Sequence, residues 1–221
     1  MFKFRDLHPQ VKANREAVEF LFQWPLPQNV WINGESGRGK SHLARCVLWR
    51  YKAKWQQLCE FTRTSSWLSG PHLRNIANEL PNDRKEDIEH LSRVDLLIID
   101  DMDKVNLDNA KPLEVLWSVL EGRQQRHRRT LITSNMTAKA LVQVWKTVCG
   151  SNPTLPMAII DRIKPCKGFC IEGPESLRGV CAPEPMCIAD IGEIVAPGAA
   201  QALQRAVSTG NLAALASMEG E

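Results

Sequence analysis

The sequence predicts an α/β protein in which helices cover both faces of a central parallel sheet. Short apolar segments alternate along the chain with longer segments whose apolar residues recur at the 3.6-residue period of an amphipathic helix. One short segment, VDLLIID at 94–100, contains a continuous apolar run, which is typical of a strand buried on both faces. Strands that alternate with helices in this way are the pattern of a parallel sheet.

The first elements surround a glycine-rich loop. Residues 14–24 (NREAVEFLFQW) predict a helix that ends before Pro25, and Asn14 is placed to cap its start. QNVWIN at 28–33 predicts a short strand, and the loop follows it directly. Residues 40–55 then carry apolar residues at helical spacing. The loop is therefore expected to join a strand to a helix.

The middle of the chain continues the alternation. LCEFTRT at 58–64 predicts the second strand, and 65–80 predicts a helical stretch that Gly70-Pro71 interrupts. PNDRKED at 81–87 is polar enough to predict a surface turn. After the strand at 94–100, the predicted elements are the helices 112–128, 137–148 and 157–163 and the strands 130–135 and 166–172.

Length and composition indicate one domain with an appendage. A chain of 221 residues suits one domain of about 100–200 residues and a further segment. After about residue 179 the sequence becomes rich in Ala, Gly and Pro and poor in charge. We expect a short N-terminal helical linker at 1–28, a core at 29–178 and a C-terminal tail with short helices at 179–221. The tail either packs on the core or docks on a partner protein.

Composition argues against a membrane protein or a secreted one. The formal net charge of +3 neither requires nor opposes a nucleic-acid partner. The longest apolar runs are strand-sized and far short of a membrane span. The N-terminal MFKFRDLHPQ lacks the apolar core of a signal peptide, and seven cysteines, an odd number, favour reduced thiols. We expect a cytoplasmic protein with no membrane contact.

The segment GESGRGKS at 34–41 predicts a phosphate-binding loop of the pattern G-x-x-x-x-G-K-[ST]. Glycines let successive backbone N–H groups point into one concavity, and the start of the following helix adds a positive dipole end. Lys40 would reach the β- and γ-phosphates, and the Ser41 hydroxyl would bind Mg²⁺, so ATP with Mg²⁺ is the expected ligand. The candidate nucleotide-binding residues are Gly34, Glu35, Ser36, Gly37, Arg38, Gly39, Lys40 and Ser41.

Two acidic residues end the apolar strand at 94–100. Asp100 would hold Mg²⁺, because α/β sheets place their ligands at the carboxyl ends of strands. If the bound ATP is hydrolysed, Asp101 could orient and deprotonate the water molecule that attacks the γ-phosphate. The alternative is a buried strand that ends in an acidic turn.

Two later polar residues have both a structural and a functional interpretation. Asn135 follows the strand 130–135 and could hydrogen-bond the γ-phosphate or the attacking water, but Asn135 or Thr137 could equally cap the next helix. Arg162 could form a surface ion pair near Asp161, or it could enter the site of a neighbouring subunit as an arginine finger.

Together these segments resemble the AAA+ ATPases, and within them the bacterial helicase loaders of the DnaC and DnaI type with the related IstB transposition ATPase. The resemblance covers roughly residues 14–178 and implies a three-layer P-loop NTPase fold, with a central parallel sheet and little or no helical lid. The segments that carry it are GESGRGKSHLA (34–44), LLIIDD (96–101), TLITSN (130–135), IIDRI (159–163) and SLR (176–178).

The resemblance implies a role for each candidate residue. Asp100 and Asp101 would be the Walker B pair, and Asn135 would be sensor 1. Arg162 would be the arginine finger that acts in a neighbouring subunit, and Arg178 would be the sensor 2 arginine. Most AAA+ proteins carry Glu where this chain has Asp101, so slow ATP hydrolysis is expected.

The resemblance also implies a biological role. The protein would bind Mg-ATP between the subunits of an oligomer, bind single-stranded DNA, and deliver or activate the replicative helicase. The alternatives are an IstB-like transposition helper that acts on duplex DNA, and a nucleotide-gated adaptor with little hydrolysis. The chain departs from the loaders in its short segment before the first core strand and in the roughly 40 residues after SLR.

Three further clusters have alternative interpretations. The basic stretch GRQQRHRR at 122–129 either stabilises a helix C-terminus or contacts a DNA backbone. Trp67 either packs in the core or stacks on DNA bases. Four cysteines lack the C-x₂-C spacing usual in structural zinc sites, so we expect no zinc. They are Cys166, Cys170, Cys181 and Cys187.

Overall fold

The computed structural model describes residues 9–58, 60, 62–105, 109–150, 152–173 and 176–177. Within these ranges, five strands form one sheet. The strands are β1 (Asn29–Asn33), β2 (Ser65–Ser69), β3 (Leu96–Asp100), β4 (Arg129–Ser134) and β5 (Cys166–Cys170). Their order is β2-β3-β4-β1-β5, and every pair of neighbours is parallel. The predicted parallel α/β fold is confirmed.

Helices cover both faces of this sheet. Along β3, Leu97 and Ile99 belong to one apolar core and Leu96 and Ile98 to the other, as the two-residue period of a strand requires. The first core includes residues of the helices that follow β2, and the second includes residues of the helices that precede β2. The helices are α1 (Pro9–Ala13), α2 (Arg15–Leu21), α3 (Lys40–Gln57), α4 (Gly70–Asn78), α5 (Pro81–Arg93), α6 (Lys111–Gln125), α7 (Ala138–Val148) and α8 (Leu155–Ile163).

The prediction for the second strand was wrong by one segment. The described residues of 58–64 form no strand, and the next five residues, SSWLS, form β2 instead. Only Leu68 of β2 is buried, because this strand lies at the edge of the sheet and needs few apolar side chains. The helix predicted from 65 therefore begins only at Gly70, with Pro71 in its first turn.

The surface turn predicted at 81–87 was also wrong, because this segment opens helix α5. Pro81 occupies the first turn, where its missing N–H forfeits no helical hydrogen bond, and Asp83 interacts favourably with the helix dipole. Leu91 is the one buried apolar residue of α5, and Ile88 packs partly against the core. The remaining sequence is polar, so it lacks the apolar stripe by which a helix is predicted.

The N-terminal segment packs on the core through two helices. Asn14 lies between α1 and α2, but its side chain makes no cap hydrogen bond. Its amide instead donates to the carbonyls of Gln10 and Glu172, at 3.0 and 2.9 Å, and accepts from the Glu172 N–H at 2.9 Å. Asn14 therefore ties this segment to the chain that follows β5.

The predicted tail, 179–221, lies outside the described residues, so its short helices and the absence of a helical lid stay predictions. Within the described part of the chain, no helix combines the length and the apolar character that crossing a membrane requires.

Candidate functional site

The glycine-rich loop connects the end of β1 to the start of α3. Gly34, Gly37 and Gly39 have φ angles of 147°, 83° and 88°, which favour glycine. A Cβ atom at Gly34 would lie 2.4 Å from the Ile171 carbonyl oxygen, and one at Gly37 would lie 2.1 Å from Ser176 Oγ. Glycine at 34 and 37 therefore lets the loop lie directly against the chain that follows β5.

Lys40, the first residue of α3, folds back over this loop. Its ammonium group donates at 2.8 Å to the carbonyl oxygens of Gly34 and Glu35 and to Oδ1 of Asn135. Burial lowers the pKa of Lys40, and the carboxylates of Asp101 and Asp103 oppose that effect. An anion placed in the loop would favour the charged form of Lys40 in the same way.

Ser41 lies beside the carboxylate that ends β3. Its hydroxyl donates to Asp100 Oδ1 at 2.8 Å, and the hydroxyl of Thr133 on β4 donates to the same oxygen. Thr133 also accepts the Asp101 N–H at 3.0 Å. The predicted metal ligands Ser41 and Asp100 are therefore in contact, and Thr133 orients them although it was not predicted to belong to the site.

Asp101 begins a tight turn that leaves β3. Its φ of 53° is in the left-handed region, which is uncommon for a residue other than glycine. The turn continues as one 3-10 helical segment, Met102–Lys104, and the Lys104 ammonium donates to the Asp101 carboxylate. The candidate water-orienting residue is thus paired with a cation of its own turn.

Asn135 lies in the site, and the capping alternative applies to Thr137. The Thr137 side chain accepts the Ala140 N–H at 3.2 Å and so caps α7. Asn135 instead contacts Lys40 on one side and Asp103 on the other. Sequence reasoning missed Asp103, although the third acidic residue in DDMD at 100–103 was a visible signal.

The pKa of the Asp103 carboxyl lies below its ordinary value. Burial opposes its ionisation, but hydrogen bonds from the backbone and side chain of Asn135 and from the Ser134 hydroxyl outweigh burial. The group is therefore a carboxylate at neutral pH and only accepts hydrogen bonds.

The remaining loop residues are more exposed. Glu35 and Ser36 are exposed, and Arg38 forms an ion pair with Glu35. The backbone N–H of Leu177 donates to the Gly37 carbonyl at 2.8 Å, so the segment that precedes Arg178 contacts the loop. Arg178 itself lies outside the described residues.

Arg162 lies on α8 and pairs within the chain. Its guanidinium donates to Glu121 of α6, and Asp161, the neighbour expected as its partner, pairs with Lys164 at 2.8 Å. An arginine finger acts in the site of another subunit, so this intrachain contact leaves that role a prediction.

The basic stretch at 122–129 serves mainly to join elements of the fold. Arg123 is 1% exposed and donates to Thr130 Oγ1 and to the carbonyls of Leu91, Val94 and Arg129. Burial lowers the pKa of Arg123 to about 9, so it stays charged at neutral pH. Arg128 pairs with Asp95, and Arg126 donates to a carbonyl of the last turn of α6. The described contacts thus favour the structural interpretation of this stretch.

The other predicted clusters show similar intrachain contacts. The guanidinium of Arg45 lies 5.6 Å from the centroid of the Trp67 ring, so one face of that indole is already covered. Cys166 is partly buried and Cys170 is exposed. Cys181 and Cys187 lie outside the described residues, so the expectation of no zinc stays a prediction.

The residues at this edge of the sheet suit a polyphosphate with a divalent cation. The loop offers backbone N–H groups and an ammonium group, which bind phosphate oxygens. Ser41 and Asp100 offer oxygen ligands, and Mg²⁺ usually binds one or two carboxylates together with substrate phosphates. The described ranges hold no group of three or more His, Cys, Asp or Glu that could bind a metal ion.

Solved structures of replication proteins share this fold. A crystal structure of DnaI has a TM-score of 0.60 at 20% sequence identity, and the match covers 80% of this chain and 90% of that one. The crystal structure of the DnaC helicase loader has a TM-score of 0.53 at 16% identity, covering 77% and 96%. AMPPCP-bound DnaA from Aquifex aeolicus has a TM-score of 0.55 at 14% identity, covering 80% of this chain and 52% of the DnaA chain. At these identities the likeness establishes the fold alone.

Sequence comparison gives the family. No curated protein matches the chain. The model of the family described as IstB-like ATP binding protein matches residues 10–178, which is most of the chain. This range contains the glycine-rich loop, the acidic end of β3 and the polar end of β4, so the resemblance predicted from those segments is confirmed. The chain belongs to the IstB-like ATP-binding protein family.

Proposed function

We propose that this protein is a slow ATPase that binds ATP with Mg²⁺ at the loop 34–41. The observation that carries the proposal is one hydrogen-bond network that joins the ends of three strands. Lys40 contacts Asn135 after β4, and Ser41 contacts Asp100 at the end of β3, both at 2.8 Å. Membership of an ATP-binding family supports a nucleotide as the ligand.

Each part of the network has a task in phosphate binding. The loop backbone and the start of α3 would bind phosphate oxygens, and Lys40 would exchange its carbonyl partners for the β- and γ-phosphates. Ser41 and Asp100 would hold Mg²⁺, and Thr133 keeps the Asp100 carboxylate oriented. When bound, Mg²⁺ would neutralise charge on the phosphate oxygens.

Two residues would act on the attacking water. Asp101 would accept its proton, and Asn135 would hydrogen-bond the water or the γ-phosphate. The Lys104 ammonium group occupies Oδ2 of Asp101, so this ion pair must open or rearrange before that oxygen can accept a proton. This pairing, and an aspartate where most AAA+ proteins have glutamate, support slow hydrolysis.

The test measures ATP affinity by calorimetry and hydrolysis by phosphate release in two variants. Lys40→Ala should weaken ATP binding about tenfold or more, because it removes a charge-assisted contact. Asp101→Asn should keep the affinity and lower hydrolysis by about 10²–10⁴, the usual contribution of a general base. Glu86→Gln, on the exposed side of α5, is the control. Turnover that Asp101→Asn leaves unchanged would contradict the assignment.

At a finer level, we propose that the protein is a helicase loader. It would assemble as a homo-oligomer through Arg162, bind single-stranded DNA, and deliver or activate the replicative helicase. The fold that it shares with the DnaC helicase loader supports this proposal. Co-elution of the full chain with the replicative helicase of its own host, with and without ATP, tests it. A nucleotide-dependent complex is expected, and no complex in either state would contradict the loader role.

A transposition helper is the second candidate, and the family description favours it. Such a protein would act on duplex DNA with a transposase as its partner. ATP hydrolysis measured with single strands and with duplex at two salt concentrations separates the two roles, because DNA-backbone binding weakens as salt rises. Salt-sensitive stimulation by duplex alone would favour the transposition helper.

A further inference from the structure

The carboxylate of Asp103 receives three hydrogen bonds from the end of β4. Its Oδ1 accepts the Asn135 backbone N–H at 2.7 Å and the Ser134 hydroxyl at 3.0 Å. Its Oδ2 accepts the Asn135 side-chain NH₂ at 2.7 Å. One side chain therefore holds both the backbone and the amide of Asn135.

The turn after β3 is shaped to bring Asp103 to this position. The left-handed conformation of Asp101 reverses the chain, and the Lys104 N–H closes the turn on the Asp101 carbonyl at 2.9 Å. Met102 is fully buried and anchors the turn in the core. On the β4 side, Ser134 is fully buried, and its hydroxyl also accepts the Met136 N–H at 3.0 Å.

The contacts of Asn135 leave only one orientation for its amide. A carboxylate only accepts hydrogen bonds, so the NH₂ group must face Asp103. An ammonium group only donates, so the carbonyl oxygen must face Lys40. The NH₂ group has two N–H bonds, and the one that Asp103 does not accept remains to donate to an anion or a water molecule.

We propose that Asp103 is a positioning residue that fixes the Asn135 amide so that its second N–H donates to the γ-phosphate or the attacking water. The inference rests on the proposed ATP site. Without Asp103 only the Lys40 contact opposes rotation of the amide by half a turn, and the rotated amide would present its carbonyl oxygen to the phosphate oxygens, which repel it. Asp103 thereby makes the site sensitive to the presence of a γ-phosphate.

The test compares Asp103→Ala, Asp103→Asn, Asn135→Ala and the double variant Asp103→Ala/Asn135→Ala, with Glu86→Gln as a surface control. Loss of Asp103 should lower kcat about 10- to 100-fold, as loss of an outer hydrogen-bond partner commonly does. Affinity for ADP should stay unchanged while the preference for ATP over ADP falls. Asp103→Asn keeps the shape and one acceptor, so it should lose less than Asp103→Ala.

The double variant decides whether Asp103 acts through Asn135. If it does, removing Asp103 from the Asn135→Ala protein lowers neither kcat nor the ATP preference any further. Three results would overturn the inference. The kcat losses of the two single variants could multiply in the double variant, or loss of Asp103 could weaken ADP binding as much as ATP binding. Both single Asp103 variants could also behave like the wild type. If the wild-type protein binds ATP without hydrolysing it, the proposed function fails, and the ATP preference of the four variants still decides the role of Asp103.

Discussion

The hydroxyl of Thr133 couples the two acidic residues that end β3. It donates to Asp100 and accepts the Asp101 N–H at 3.0 Å, and the side chain is fully buried. The hydroxyl therefore serves as both a donor and an acceptor within the candidate site. Sequence could not predict these contacts, since they require β3 and β4 to be neighbours. It could predict Lys40, Ser41, Asp100 and Asn135 as candidates, because each follows from a local motif.

We expect Thr133→Val to lower both stability and ATP hydrolysis. Valine keeps the shape but leaves the partly buried Asp101 N–H without its acceptor, which costs about 0.5–1.5 kcal/mol, the net worth of a typical hydrogen bond. Hydrolysis should fall about tenfold or more, because Asp100 loses a hydrogen bond that orients it. Urea unfolding and phosphate release measure the two effects. Thr133→Ser keeps the hydroxyl and is the control; a serine variant as impaired as the valine variant would refute this explanation.

At the scale of elements, sequence identified the segments that carry an apolar signature and missed those that do not. The strand at 94–100 has a continuous apolar run, and the helix after the loop has apolar residues at helical spacing, so both could be predicted. β2 is a serine-rich edge strand and α5 is largely exposed, so neither needs many apolar residues. The strand was predicted instead at LCEFTRT, the segment just before β2, because that segment contains more apolar residues.

Close packing between two elements makes Gly70 a specific target. It begins α4, and a Cβ atom there would lie 2.4 Å from the Asp101 carbonyl oxygen. The new Cβ atom and the Asp101 carbonyl oxygen are both held in place by the backbone. Gly70→Ala must therefore displace the turn that carries Asp101 and Asp103. We expect a loss of about 1–3 kcal/mol of stability, typical of overpacking, and a lower kcat.

The matched control for this prediction is Gly168→Ala on β5, where a Cβ atom would meet nothing within 4 Å. It should leave stability and hydrolysis close to those of the wild type. Thermal unfolding and steady-state ATPase assays compare the two variants. Equal behaviour of the alanines at 70 and 168 would show that the turn tolerates displacement, and the argument from close packing would fail.

At the scale of the whole molecule, strand order decides which strand ends meet at the site. Alternating strands and helices predict a parallel sheet, but they do not set the order β2-β3-β4-β1-β5, in which the first strand joins β4 and β5. The AAA+ resemblance implied a three-layer fold with a central parallel sheet, and the strand order comes from the structure. It also assigns Arg162 to a neighbouring subunit's site, whereas within one chain Arg162 contacts Glu121.

A mixing experiment tests this assignment. Arg162→Ala should bind ATP and yet hydrolyse it about 10³–10⁵-fold more slowly, as expected for loss of an arginine finger. Lys40→Ala should also be inactive, because its own loop no longer binds ATP well. When the two are mixed, a Lys40→Ala subunit can supply Arg162 to the intact loop of an Arg162→Ala subunit. Part of the ATPase activity should therefore return, in proportion to the number of contacts between a Lys40→Ala subunit and an Arg162→Ala subunit.

Glu121→Gln distinguishes a role of Arg162 as an arginine finger from its role in the ion pair with Glu121 of its own chain. This variant removes the charge of Glu121 but keeps Arg162, so it should retain hydrolysis if the arginine acts in a neighbouring site. Two results together would contradict the finger role. Glu121→Gln would lose as much activity as Arg162→Ala, and mixing the Lys40→Ala and Arg162→Ala proteins would restore none. Arg162 would then support hydrolysis only within its own chain, through its ion pair with Glu121, and the role proposed for it in a neighbouring site would be wrong.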